Sequence, residues 1–350
     1  MDTLIAPLDP SSETPPEIGG QTRGVGPTEV QIKGKTVIVQ SVEIGERTVV
    51  RTGKWLKAAA VRHEELVEGD TIADPHSFVS KLKKSGLGAD FFTFAQRIPD
   101  ITPRYSYLTE VENAAAISIT DFSTWWKDGA AHSIRKAVNR AKKLGVVAEV
   151  VGFDDKFVEA TCQIYNEIPV RQGKTFWHYG KDFQSIKDAL ATYLDRSIFI
   201  GAYYQDELIG FIKITWVGTT GTITQILSMK KHFDKRPNNA LIAKAIEICE
   251  TEGKSHFIYG SFVYFDPDSS LTEFKRRNGF EAVRLPRYYV PLTLKGKIAL
   301  RLGLHRGVAG NTPKPVLKLF LRVRRFRSER RLKRSGRTPY APTLNVSKDL

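Results

Sequence analysis

Cysteine is scarce here: Cys162 and Cys249 are the only two in 350 residues. Two thiols cannot build a disulfide framework, and neither has a partner at metal-ligand spacing. Cys249 follows Ile246 and Ile248 in an apolar helical pattern, so both thiols are read as buried structural groups and no metal is expected. No stretch approaches 18 uninterrupted apolar residues, which argues against a membrane-spanning helix. The opening run, MDTLIAPLDPSSETPPEIGG, has neither a basic start nor a long apolar core, so no secretory signal is read there. These absences point to the cytoplasm. A Walker loop, a GxGxxG turn, a paired-histidine zinc motif and a GxSxG elbow are also missing.

Charge of one sign is present but local. The net charge is +15. Residues 295–337 carry fifteen Lys or Arg against the single acid Glu329, a net of +14, and the rest of the chain carries 38 bases against 37 acids. The basicity therefore belongs to a C-terminal arm and says little about any site in the globular part.

Residues 1–29 are rich in Pro, Gly, Ser, Thr and Glu and read as a disordered leader, with the fold starting near Val30. Strands are expected over 35–40 and 47–51, a buried segment over 55–61, and a helix over 75–84 with Asp74 as its cap. Strand-like runs follow over 90–97 and 105–120. From residue 128 the pattern shifts to a helix over 133–144, a strand over 146–151 and helices over 157–168 and 183–194. Strands over 197–204, 207–217 and 222–229 come next. A helix over 240–252, a strand over 256–262, a helix over 271–278 and a last strand over 281–291 complete the order. That alternation predicts an α/β (α+β) fold, a mixed sheet with helices on its faces.

The order of elements and three local runs carry a resemblance. The runs are Tyr165-Asn166-Glu167-Ile168-Pro169-Val170-Arg171-Gln172-Gly173-Lys174, then Asp234-Lys235-Arg236-Pro237-Asn238-Asn239-Ala240-Leu241. The third is Ser270-Leu271-Thr272-Glu273-Phe274-Lys275-Arg276-Arg277-Asn278-Gly279-Phe280, followed by Arg287-Tyr288-Tyr289-Val290-Pro291-Leu292. The chain resembles the GCN5-related N-acetyltransferase (GNAT) superfamily, and within it the FemAB-like branch. The resemblance implies a GNAT-like mixed sheet, in two tandem domains of which the second is better defined. It divides the chain into a leader (1–29), a diverged first domain (30–130), a second acyltransferase domain (131–294) and a basic, partly helical arm (295–350). The sequence departs from the superfamily at the strand-to-helix junction, where 235–240 holds no glycine. Glycine there would let backbone amides approach the pyrophosphate of coenzyme A.

The implied chemistry is transfer of an acyl group to an amine, with acyl-CoA or aminoacyl-tRNA as donor. Donor-binding candidates are Gln225 and Leu227, whose strand would offer a backbone N–H to the oxyanion, together with Lys235, Arg236, Asn238, Asn239 and Lys275. Tyr259 and Tyr264 are candidates for protonating the leaving group, and Glu273 and His178 for the base. The loop 171–181 interleaves aromatics with cations, which suits a sugar or phosphorylated acceptor, so Arg171, Lys174, Trp177 and Tyr179 are acceptor-binding candidates. Each has a plainer reading: strand aromatics for the tyrosines, a surface helix acid for Glu273, a surface lysine for Lys275, a structural imidazole for His178.

Residues 314–334 set Val316, Leu317, Leu319, Phe320, Leu321, Val323 and Phe326 among Lys and Arg. A basic amphipathic helix of this kind binds anionic membrane surfaces, while RNA or plain solvation are the competing readings. The expectation is an N-acyltransferase acting on an amine of a cell-envelope or polysaccharide precursor, peripheral at the inner face of the membrane. The alternative is a GNAT-fold binding protein without catalytic activity, recruited to the membrane by its basic arm.

Overall fold

Two apolar runs, 197–204 and 207–217, are too continuous for a strand with one wet face, and they are inner strands of a sheet covered on both sides there. The computed structural model describes residues 23–32, 35–129, 132–171, 174–176, 178–264 and 267–306. Trp177, most of the expected leader and the arm beyond Arg306 lie outside the described residues.

The first half comprises β1 (Arg23–Ile32), β2 (Lys35–Ile44), β3 (Arg47–Thr52), β4 (Ala58–Val61), α1 (Pro75–Lys84), β5 (Phe91–Ala95) and β6 (Leu108–Ser118). A short helix α2 (Phe122–Thr124) and a π-helical turn over Trp125–Gly129 lead to α3 (His132–Lys143). Then come β7 (Val147–Val151), α4 (Asp155–Asn166), the two-residue strands β8 (Val170–Arg171) and β9 (Lys174–Thr175), and α5 (Phe183–Ala191). The chain continues through β10 (Ser197–Tyr204), β11 (Glu207–Val217), β12 (Thr220–Ser228), α6 (Pro237–Thr251), β13 (His256–Ser261), α7 (Ser270–Arg277), β14 (Glu281–Pro291) and α8 (Leu294–Arg301).

Twelve strands form one mixed sheet in the order β1-β2-β3-β4-β5-β14-β6-β13-β12-β11-β10-β7. The same arrangement occurs twice within it. Strands β2, β3 and β4 run antiparallel, α1 crosses over, and β5 lies parallel to β4. Strands β10, β11 and β12 run antiparallel, α6 crosses over, and β13 lies parallel to β12. The strands that follow are exchanged: β14 pairs with β5 and β6, and β6 with β13 and β14. This is the mixed sheet with helices on its faces that the alternation predicts, built from one arrangement used twice and closed across its middle by two strands that change sides.

Side-chain alternation supplies a separate core on each face of the second half. Ile200, Ile212 and Ile214 point to α3 and α6 and pack with Leu241, Ala245 and Ile246. Phe199 and Phe211 point the other way and pack with Phe157, Ile164, Ile186 and Leu190 of α4 and α5. The first half has its own cluster of Val42, Val49, Leu82, Phe92, Phe94 and Tyr288.

Three expectations need correction. Strand β1 begins at Arg23, inside the stretch read as leader; as an edge strand bonded only to β2 it tolerates Pro27 and two glycines. The buried segment 55–61 shrinks to Ala58–Val61, and Trp55 is 66% exposed. Helix α6 starts at Pro237 rather than residue 240, because proline is well placed at a first helical position.

Candidate functional site

Parallel strands β12 and β13 pair only from Thr220–His256 to Thr222–Ile258. Beyond that point two local features turn them apart. Strand β12 bulges at Thr224, since Ile214 faces Ile223 while Lys213 faces Gln225. Strand β13 carries Gly260 at φ 53°, and a Cβ there would lie 2.4 Å from the Tyr264 hydroxyl. Only glycine meets both demands. The gap opens into a cavity of about 310 Å³ lined by His178, Ile223, Thr224, Gln225, Ile226, Tyr259, Gly260 and Tyr264.

One cation stands behind this wall. Lys275 is fully buried on α7. Its Nζ donates to the Ser261 carbonyl at 2.6 Å and lies 4.4 Å and 4.8 Å from the ring centres of Tyr259 and Tyr264. Among the described residues no carboxylate forms an ion pair with it. Burial lowers its pKa to about 8. Burial also raises the Tyr259 phenol well above its ordinary value, so this hydroxyl keeps its proton at neutral pH.

The opposite wall is aromatic. His178 stacks on Tyr165, ring centres 4.7 Å apart, and Phe176 tilts against it at 5.2 Å. Burial, with Lys181 and Arg171 nearby, pushes the imidazole down to about 4. It is therefore neutral near pH 7 and a weak proton acceptor, which suits hydrogen bonding better than the base role expected of it. Gln225 donates from its amide to the buried Tyr165 hydroxyl, which fixes the side chain at the cavity edge.

Of the expected site residues, the fold brings Gln225, Tyr259, Tyr264 and His178 together around one cavity, with Lys275 directly behind. Others are placed elsewhere. Glu273 lies on the outer face of α7, bonded to Arg276 and, at 2.6 Å, to Arg277. Arg171 is a clasp: its terminal nitrogens donate to the carbonyls of Ser228 at 2.8 Å and Ile164 at 3.1 Å and to Glu167 at 3.3 Å. Glu167 in turn accepts the backbone N–H groups of Lys230 and Lys231, so the pair ties the end of α4 to the end of β12. Tyr179 is exposed outside the cavity lining, Leu227 packs into the α4–α5 core, and the side chain of Lys174 lies outside the described residues.

The start of α6 does not line the cavity either. Pro237 brings no N–H, and the Asn239 N–H turns back to the Arg236 carbonyl at 3.1 Å. The Asn239 side chain points inward and donates to Asn278 at 3.3 Å. Lys235 lies over the Tyr204 ring and pairs with Asp234, while Arg236 takes the left-handed conformation at the cap and Asn238 is half-buried beside it. Two of the first three amides that a pyrophosphate cradle uses are thus missing or occupied, and the residues present do not fit that group of coenzyme A.

Sequence reasoning passed over Tyr165, although it lies in a run carrying the resemblance, because its bond to Gln225 joins residues 60 apart in the chain and leaves no local pattern. It also passed over Thr224 and Gly260, whose roles are set by backbone geometry. The equivalent gap of the first half is filled. Pairing of β4 with β5 ends at Ala60–Thr93, and beyond it the Glu64 carboxylate takes the Ala95 N–H and the Arg287 guanidinium, each at 2.7 Å. Arg97 adds bonds to the carbonyls of Glu64 and Val67.

No family model matches the sequence, and no curated protein matches it. Solved structures similar to the chain include FemX (10% identity, TM-score 0.49), with 80% of this chain and 90% of that one covered. L-PGS from Bacillus licheniformis is similar at 17% identity and TM-score 0.49, covering 77% and 87%. The C-terminal domain of a protein assigned as lysylphosphatidylglycerol synthetase from Agrobacterium fabrum is similar at 15% identity and TM-score 0.48, covering 76% and 87%. Among the described residues no helix is long and apolar enough to cross a membrane.

Proposed function

We propose that the chain is an acyl- or aminoacyltransferase acting on an amine, with the β12–β13 gap as its reaction chamber. One observation carries the reading: two parallel strands are forced apart by the Thr224 bulge and Gly260, and the gap gathers two tyrosines, an amide and an imidazole in front of a buried ammonium that has no ion pair among the described residues. Nothing in the sheet requires that gap for stability, since the first half fills its own.

Transfer forms a C–N bond to the amine and breaks the bond between the acyl carbon and the oxygen or sulfur of the donor. The carbonyl oxygen gains negative charge in the tetrahedral state. The edge of β12 past Thr222 is the place for it, with Lys275 supplying positive potential through the cavity wall. The leaving oxygen or sulfur takes a proton. Tyr264, 55% exposed at the cavity, is the donor, with Tyr259 behind it holding its own proton. The attacking amine gives up its proton to solvent at the same mouth. A cavity with aromatic walls and a buried ammonium behind them favours an anionic substrate, such as a phosphorylated cell-envelope or polysaccharide precursor. The blocked first turn of α6 favours an aminoacyl ester over coenzyme A as donor.

The same blocked turn supports a second reading, a binding protein that keeps the chamber without turnover. The test incubates the full chain with acetyl-coenzyme A or with aminoacyl-tRNA and a panel of amine acceptors, and follows product by mass spectrometry. Product with a donor, lost in Tyr264→Phe at unchanged melting temperature, supports the transferase. Binding of an acceptor in the chamber without product from either donor supports the second reading. Donor turnover that survives both Tyr264→Phe and Lys275→Met overturns the assignment of the chamber.

A further inference from the structure

Helix α8 turns its apolar side outward. Leu294, Ile298 and Leu302 recur every fourth residue, which places them on one stripe, and they are 74%, 50% and 66% exposed. Amphipathic helices normally rotate to bury such a stripe, and this one is held from doing so. Thr293 caps it by accepting the Gly296 N–H at 3.0 Å. Gly296 is pressed onto β5's entry, where an added Cβ would lie 1.8 Å from the Asp90 carbonyl oxygen. Ala299 and Leu300 are buried beside it. Lys295 pairs with Asp90 at 3.3 Å, and past the helix His305 and Arg306 both reach Glu110 at 2.7 Å. The orientation is therefore fixed at both ends.

Cations flank the stripe. Lys297 and Arg301 are exposed and form no ion pair among the described residues. Lys295 lies over the ring of Trp55, 5.0 Å from its centre, so an exposed indole extends the apolar stripe across the surface. The chain then runs directly into residues 307–350, where Lys and Arg alternate with Val, Leu and Phe.

We infer that the α8 stripe with Trp55 is a docking surface for an anionic lipid bilayer. An apolar ridge rimmed by cations, with an indole at its edge, matches the boundary between acyl chains and acidic headgroups. Charge complementarity selects this occupant: a neutral apolar partner would leave Lys297 and Arg301 unanswered. The basic stretch beyond Arg306 adds long-range attraction, and α8 sets the angle at which the molecule meets the surface.

The test uses the full chain with vesicles of phosphatidylcholine alone or with phosphatidylglycerol added. An environment-sensitive dye is placed at Ile298→Cys or, as a control away from the stripe, at Glu250→Cys, both in a Cys162→Ala background. Expected is a blue shift at 298 but not at 250, with the acidic vesicles only. Leu294→Ser/Ile298→Ser/Leu302→Ser should weaken binding to acidic vesicles by about tenfold or more, because it removes apolar insertion and leaves every charge in place. That variant changes exposed residues only, and an unchanged melting temperature checks that it folds. Vesicle binding untouched by the triple substitution overturns the inference and assigns attachment to the basic arm alone. A dye at 298 already shielded without vesicles also overturns it: light scattering then shows a dimer if a second copy covers the stripe, or a monomer if residues 307–350 do.

Discussion

Replacing Lys275 by Met should flatten the rise of stability with pH. The ammonium is fully buried, its pKa is lowered by burial from 10.5 to about 8, and its contacts are one carbonyl and two rings. Between these two pKa values the unfolded chain holds the proton and the folded chain does not. Stability therefore increases as pH rises through that window. At about 1.36 kcal/mol per pKa unit, most of the gain, about 2 kcal/mol, falls between pH 7 and 9.5. Below pH 8 the folded protein carries the full cost of a buried charge.

Methionine has similar length and no charge to release, so Lys275→Met removes this contribution while filling the same space. Urea unfolding followed by circular dichroism, at pH 7 and pH 9.5, gives the comparison. Wild type should gain about 2 kcal/mol more than the variant over that interval. Lys213, which burial also lowers to about 8, is present in both proteins and cancels. Equal changes in the two proteins would refute the reasoning, because the lysine would then have an ordinary pKa and could not be held dry behind the cavity.

Four further substitutions separate site from scaffold. Arg171→Ala breaks the clasp between α4 and β12 and leaves Glu167 without its cation; a loss of about 3 kcal/mol in urea unfolding is expected, and Arg171→Lys should recover little of it. Gly296→Ala drives a methyl into the Asp90 carbonyl and should lower stability by about 2 kcal/mol, read as a fall in melting temperature. Gln225→Leu strips the Tyr165 hydroxyl of its donor and should cost about 1–2 kcal/mol while reducing ligand affinity of the chamber. Glu273→Gln should change stability by less than about 0.5 kcal/mol and leave turnover intact, since its exposed pairs with Arg276 and Arg277 lie outside the cavity.

The elements that the sequence displays most openly are those with continuous or alternating apolar residues between clear turn signals. The bounds of β10, β11 and β14 and of α1 agree residue for residue with the periodicity, the turns and the Asp74 cap. Strand β1 escaped because its ladder needs only one partner and its glycines and proline imitate a linker. The exchange of β6 and β14 escaped for a different reason: pairing between strands far apart in the chain leaves no local pattern. Much of the candidate site was visible as residue types, since Tyr259 and Lys275 stand near the ends of β13 and α7 and Tyr264 follows β13. Their convergence was not visible, because it depends on Gly260 and on one extra residue at Thr224. For Glu273 the sequence held the plainer answer, with Arg276 and Arg277 three and four residues on, the spacing of intrahelical ion pairs.

The two halves of the sheet make an internal comparison. Each parallel pair stops after three residue pairs and leaves a wedge between its strands. In the first half the wedge is closed by opposite charges that satisfy one another: Glu64 takes Arg287 and the Ala95 N–H, and Arg97 takes two carbonyls. Burial opposes the Arg287 charge, but Glu64 and Glu112 outweigh it and hold the guanidinium protonated. In the second half Lys275 pairs with no acid among the described residues, and the donors and rings around it face an opening. A protein selected for stability alone would place a carboxylate beside Lys275 or replace it with an apolar residue, as buried charges without partners are costly. That the cost falls on one wedge, while the same fold shows in the other how to avoid it, is the physical reason to place ligand chemistry between β12 and β13.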